Sequence, residues 1–144
     1  MARSPKTLTA PITGIVSALV TLAVAEVLAL LVAPQSSPVF AVGSFVIDIV
    51  PRQVAQAVIH LFGENDKLVL LLCVGLLVLV LAVLIGMLHL RSRPLGITAL
   101  GLVGAVALAA VLTRANATPL WAVPTVVGVA AGVTALVQIG RAHV

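Results

Sequence analysis

Few residues in this chain could do chemistry, and their spacing sets them apart from one another. The acids are Glu26, Asp48, Glu64 and Asp66, the histidines are His60, His89 and His143, and the one cysteine is Cys73. Nucleophilic catalysis needs a base within hydrogen-bond reach of the nucleophile, and a metal site needs ligands at short, regular spacing. No Ser-His-Asp, Cys-His, paired-carboxylate or phosphate-loop pattern occurs. Cys73 sits inside an apolar run, where it reads as a small packing residue and cannot form an internal disulfide. A membrane haem would need two axial histidines on facing helices. His60 falls in a polar loop and His89 at the far end of the next apolar run, so they belong to opposite sides of the membrane. This reading assigns no catalytic, cofactor-binding or metal-binding residue to the chain.

Glu26 stands out because it is the one acid inside an apolar run, "ITGIVSALVTLAVAEVLALLVA". It lies about ten Å from the end of that helix at ~1.5 Å per residue. A carboxyl at such a depth faces a bundle interior or cavity. It serves either a proton or substrate path or a hydrogen bond that fixes packing; without a second intramembrane acid or base there is no relay, which favours packing.

The elements that must position these residues follow from composition. Hydrophobic residues make up 62% of the 144, charged residues 8%, and the mean hydropathy is +1.30. A soluble domain carries about 25% charged residues. The expected class is therefore an all-α membrane protein, a single domain over 1–144. Long unbroken apolar runs, rather than alternating ten-residue segments, select helices over a barrel. The runs predict four transmembrane helices over about 12–33, 68–90, 95–113 and 119–139. Pro11 is expected to open the first and Pro34 to close it. Asn65 or Asp66 should cap the second, and Thr118 the fourth. Pro124 should kink the fourth helix or mark where its regular part begins. An "AVA" at Ala23 to Ala25 resembles a signal-peptide cleavage site; the apolar run continues past it, which favours a retained span.

The eight Lys and Arg sit at the ends of these runs and form no basic stripe with interleaved aromatics, so no nucleic-acid partner is expected. Arg3, Lys6, Arg91, Arg93 and Arg141 fall on the side of the termini. Arg52, Lys67 and Arg114 fall on the other side, beside Asp48, Glu64 and Asp66. The excess of cations on the terminal side predicts cytoplasmic termini in a plasma-membrane protein. Trp121 should sit at the outer headgroup level. Small-residue stripes for helix packing are expected at Ser17, Thr21, Ala25 and Ala29, at Gly101, Ala105 and Ala109, and at Gly128 and Gly132. The second span shows no such stripe and is expected to face lipid.

One stretch, "VGSFVIDIVPRQVAQAVIHLFGENDK", is too elaborate for a simple connection. It belongs to an outer loop over 34–67. Within it, 51–63 reads as a short amphipathic interfacial helix between the first and second spans. Pro51 is expected at the first helical position and Gly63 just past the end. Arg52, Gln53, Gln56 and His60 share the polar face. Val54, Ala55, Val58, Ile59 and Phe62 share the apolar face, which should lie on the bilayer surface. The preceding "SPVFAVGSFVIDIV" is apolar and β-branched; Gly43 is expected to break it, and it should dip into the headgroup layer or pack across the bundle mouth. The loop is either an interfacial anchor or a platform for something outside the membrane.

The residues Ser37, Pro38, Val39, Ala41, Val42, Gly43, Ile47, Asp48 and Pro51, followed by Phe62, Gly63, Asp66 and Lys67, give the pattern SPV…AVG…ID…P and FG..DK. This resembles the membrane-embedded N-terminal region of actinobacterial-type, sulfite-oxidase-like, molybdopterin-dependent oxidoreductases. In that family a catalytic domain outside the cytoplasm binds the molybdenum cofactor. None of that domain is in this chain, so no cofactor is expected here and no family catalytic residue carries over. The resemblance implies a membrane anchor and docking domain, with the lipid bilayer and an extracytoplasmic molybdoenzyme domain as partners, in a split or truncated member. The rival expectation is a small quinone-linked redox or transport component using Glu26 and His60, or a chain without independent activity.

Overall fold

The computed structural model describes residues 5–142. Arg3 and His143, used above for charge and ligand arguments, lie outside them. The order is α1 (Pro5–Val32), α2 (Pro38–Ile49), α3 (Arg52–Phe62), α4 (Asp66–Arg91), α5 (Arg93–Leu112) and α6 (Ala122–Ala142). Tight 3₁₀ turns at Pro34–Ser36, Gly63–Asn65 and Pro119–Trp121 join them. No strand occurs among the described residues, and four of the helices are long and apolar enough to cross a membrane. At ~1.5 Å per residue even α5, with 20 residues, reaches the ~30 Å of a bilayer core. The chain is a multi-pass, all-α membrane protein.

The four long helices form a ring. α1 packs most extensively on α6 and then on α4, and α5 closes the ring between α4 and α6. Apolar burial gains little against lipid, so close backbone approach must hold such a ring. The α1–α6 seam lies where the sequence places it. Ser17 and Ala25 are buried, Gly128 and Gly132 face them, and Ser17 Oγ donates 2.7 Å to the Gly132 carbonyl. A Cβ on Gly128 would lie 2.7 Å from that of Ala25, and one on Gly132 would overlap the Thr21 hydroxyl.

Two packing expectations are corrected. The second span does carry a close-approach face, Ala82 and Gly86, which meets Ala10 and Gly14 of α1. A Cβ on Gly86 would collide with the Ala10 carbonyl, and one on Gly14 with that of Ala82. Two small residues four apart suffice when the partner offers the same, and the surrounding Leu and Val mask them in the sequence. Conversely, Gly101, Ala105 and Ala109 are exposed to the lipid side, while Leu100, Gly104 and Val111 turn inward. Ala-rich helices present several candidate stripes, and the partner decides which one is used.

Proline and capping expectations also shift. Pro11 lies inside α1 (Pro5–Val32); a proline near a helix start sacrifices one hydrogen bond in a turn at the membrane edge. Pro124 is the third residue of α6, and the 3₁₀ turn at Pro119–Trp121 precedes it. Asn65 and Thr118 stand at N-cap positions without side-chain capping bonds, whereas Asp66 Oδ1 accepts from the Lys67 N–H at 2.6 Å. Trp121 is half-buried against Ala41, Ala110 and Val111, so it packs on the bundle.

Candidate functional site

The end of the ring away from the chain termini is closed by α2. Pro38 occupies its first turn, and Ser37 at the N-cap accepts the Phe40 N–H at 3.1 Å. Gly43 does not break this helix; it is buried in its middle, where packing offsets the ~1 kcal/mol cost of glycine. At about 18 Å, α2 is too short to span. Ala41 packs on Ala110 and Val111 of α5.

Glu26 is the post to which α2 is tied. Its Oε1 accepts from Ser37 Oγ at 2.7 Å and, more weakly, from the Val39 N–H at 3.4 Å. The carboxyl thus sits at the N-terminus of α2, where unsatisfied N–H groups and the helix dipole favour an acceptor. A second tie lies at the other side. Arg114, just past α5, places its guanidinium 4.6 Å from the centre of the Phe40 ring and donates from Nη1 to Ser44 Oγ at 3.2 Å. This cation–π clasp joins residues 70 or more apart in sequence, and no local pattern announces it.

The polar residues Arg52, Gln53, Gln56 and His60 lie together on α3 as expected, exposed and without side-chain hydrogen bonds among the described residues. Pro51 takes the N-cap position, one residue earlier than expected, and Gly63 ends the helix with φ +57°. No residue of α3 is buried, and its apolar side, including Val54, Ile59 and Phe62, is open to the surroundings.

His60 and His89 are separated by nearly the whole of α4, roughly 35 Å. His89 is almost fully buried, at 3% exposure, at the terminal end of the ring. Two glycines make room for its ring: a Cβ on Gly140 of α6 would lie 2.6 Å from Nε2, and one on Gly96 of α5 would overlap the His89 Cβ. The sequence reading passed over this cage because its three members lie on three helices, each unremarkable alone. An apolar cleft of about 330 Å³ lies between α1 and α4, walled by residues such as Leu22, Val39 and Leu79. Among the described residues, no group of three or more His, Cys, Asp or Glu could hold a metal ion.

No family model, curated protein or solved structure matches this chain.

Proposed function

We propose that this membrane domain anchors and positions an oxidoreductase domain on its outer side, with the polar face of α3 as the contact surface. The carrying observation is that Arg52, Gln53, Gln56 and His60 are aligned on a short helix that the bundle does not bury. A face whose donors are committed to nothing inside the protein is free to pair with a partner. The resemblance of the loop from Ser37 to Lys67 is what supports the partner class, a sulfite-oxidase-like molybdoenzyme domain, which would bring the molybdenum cofactor. The hydrogen bonds that Glu26 makes to the start of α2 favour a structural role for that acid over a carrier role.

In this reading both termini face the cytoplasm of a plasma-membrane protein, because the cations at Arg91, Arg93 and Arg141 have no Asp or Glu beside them on that side. A reporter active only outside the cytoplasm, fused after Val144, should be silent.

The docking test is co-purification with a separately expressed sulfite-oxidase-like domain from the same genome. Arg52→Glu combined with His60→Ala should lower recovery of the complex about tenfold or more while the anchor still inserts. Equal recovery with the double variant would refute the contact surface. Loss of quinone-linked or solute flux in a well-inserted Glu26→Gln variant, with docking intact, would replace the anchor reading with the redox or transport one.

A further inference from the structure

The terminal end of the ring holds a second polar feature that anchoring does not use. A cavity of about 200 Å³ opens there, lined by His89, Leu90, Arg91, Ser92, Arg93 and Gly140. Its size admits several waters, each with a share of roughly 30 Å³ of liquid, and hence one tetrahedral oxyanion. Three features of the lining favour a negative ligand.

The first is charge. Arg91 and Arg93 flank the cavity, and Arg141 follows Gly140. The chain's four acids, Glu26, Asp48, Glu64 and Asp66, all belong to the outer half of α1 or the outer loop. No Asp or Glu side chain is therefore available to neutralise these guanidiniums. Arginine matches phosphate oxygens through paired N–H donors, and two of them two residues apart can address one group. The second is the start of α5 at Arg93, with Ser92 at its N-cap making no side-chain capping bond. Pro94 has no N–H and the Gly96 N–H donates to the Ser92 carbonyl, which leaves the Arg93 N–H as the first-turn donor of a lining residue. The third is His89 itself. His89 is 3% exposed and lines the cavity, and its Nδ1 has no well-formed hydrogen bond, the Arg93 main chain being the polar group beside the imidazole. A buried polar atom with so poor a partner is costly, and a ligand in the cavity would offer a better one.

We infer that this cavity binds a phosphate group, held by Arg91, Arg93 and the first turn of α5, with His89 as the buried donor at its base. The level of the site, at the end of α4 and the start of α5, is that of lipid headgroups. The phosphate could belong to a bilayer lipid or to a soluble phosphate compound, and the chemistry of recognition is the same.

The test uses the full-length chain in nanodiscs, where both faces are accessible and insertion direction does not matter. Imidazole nitrogen resonances are followed by NMR, with His89 assigned by elimination using His60→Gln and His143→Gln. Two probes are titrated: inorganic phosphate over phosphatidylcholine nanodiscs, and increasing phosphatidic acid within the nanodisc. Saturable movement of the His89 signals with phosphatidic acid alone identifies a lipid headgroup site; movement with inorganic phosphate identifies a soluble ligand. Arg91→Gln with Arg93→Gln changes exposed side chains and should preserve the helicity and melting of the bundle. It should weaken the affinity at least about tenfold. Arg114→Gln, at the opposite end, should leave the affinity unchanged. Resonances that ignore both probes, or a double variant that binds as tightly as the parent, would overturn the site.

Discussion

α2 and α3 are consecutive helices of 12 and 11 residues, yet the bundle holds them in opposite ways. α2 is mainly apolar, with Asp48 exposed near its end; Glu26 takes its N-terminus, Ala41 is inserted against α5, and Arg114 lies across Phe40 and Ser44. α3 has one polar and one apolar side and no buried residue. The lesson concerns where a short helix can rest. A helix that is mainly apolar is best covered by protein or lipid and finds its place in the bundle. An amphipathic one is at ease at the interface and leaves its polar side available. The outer layer is thus half structure and half surface, and perturbations should tell the halves apart.

The largest effect should come from the seams beneath both helices. Gly86→Val puts side-chain atoms against the Ala10 carbonyl and the Gly14 backbone, neither of which can move without parting α1 from α4. Overpacking costs about 1–3 kcal/mol when neighbours can shift; against backbone the cost should reach the top of that range or beyond. Thermal unfolding in micelles, followed by circular dichroism, would show it. Gly75→Val and Gly101→Val are the internal controls, because a Cβ at either meets nothing within 4 Å. They should change stability by no more than about 0.5 kcal/mol. Equal losses at all three glycines would mean that helix propensity, not close approach, sets the effect.

A smaller and local effect is expected at Glu26. Glu26→Ala removes the acceptor of the Ser37 hydroxyl and of the α2 N-terminus. Loss of a helix-capping or charge-assisted bond costs roughly 1–2 kcal/mol. Hydrogen exchange should therefore speed up across residues 38–49 and not across 52–62. Faster exchange in α3 alone would reverse the assignment of which helix is tied.

How far the sequence disclosed this is uneven, for physical reasons. The four spans and the amphipathic helix are legible because each rests on local periodicity and run length, which lipid enforces strictly. The Ser17, Gly128 and Gly132 seam is legible because small residues four apart mark a close approach. The Ala82 and Gly86 seam was missed among leucines, and the Gly101, Ala105 and Ala109 stripe was misread, since choosing among such faces requires knowing the partner. The break expected at Gly43 failed because tertiary burial overrides glycine's local preference. Glu26 could be marked as an acid inside an apolar run that needs a partner, but Ser37 as that partner, the Arg114 clasp and the His89 cage depend on helices meeting in space.

The sharpest test of the contrast is also the gentlest. Gly63 joins α3 to the 3₁₀ turn before α4 with φ +57° and ψ −126°, a conformation closed to residues with a Cβ, although no other group crowds the position. In Gly63→Ala the strain of about 1–3 kcal/mol need not be stored. The joint can relax to negative φ and re-aim α3, because no residue of α3 is buried and no core contact resists the swing. The expected result is a melting temperature within experimental spread of the parent, with a changed distance distribution between spin labels on α3 and α4. If the proposed docking holds, it should fall at the same time, since the polar face then points elsewhere. A loss of stability as large as that of Glu26→Ala would mean that α3 is built into the bundle as firmly as α2. The division of the outer layer into a tied half and a free half would then fail.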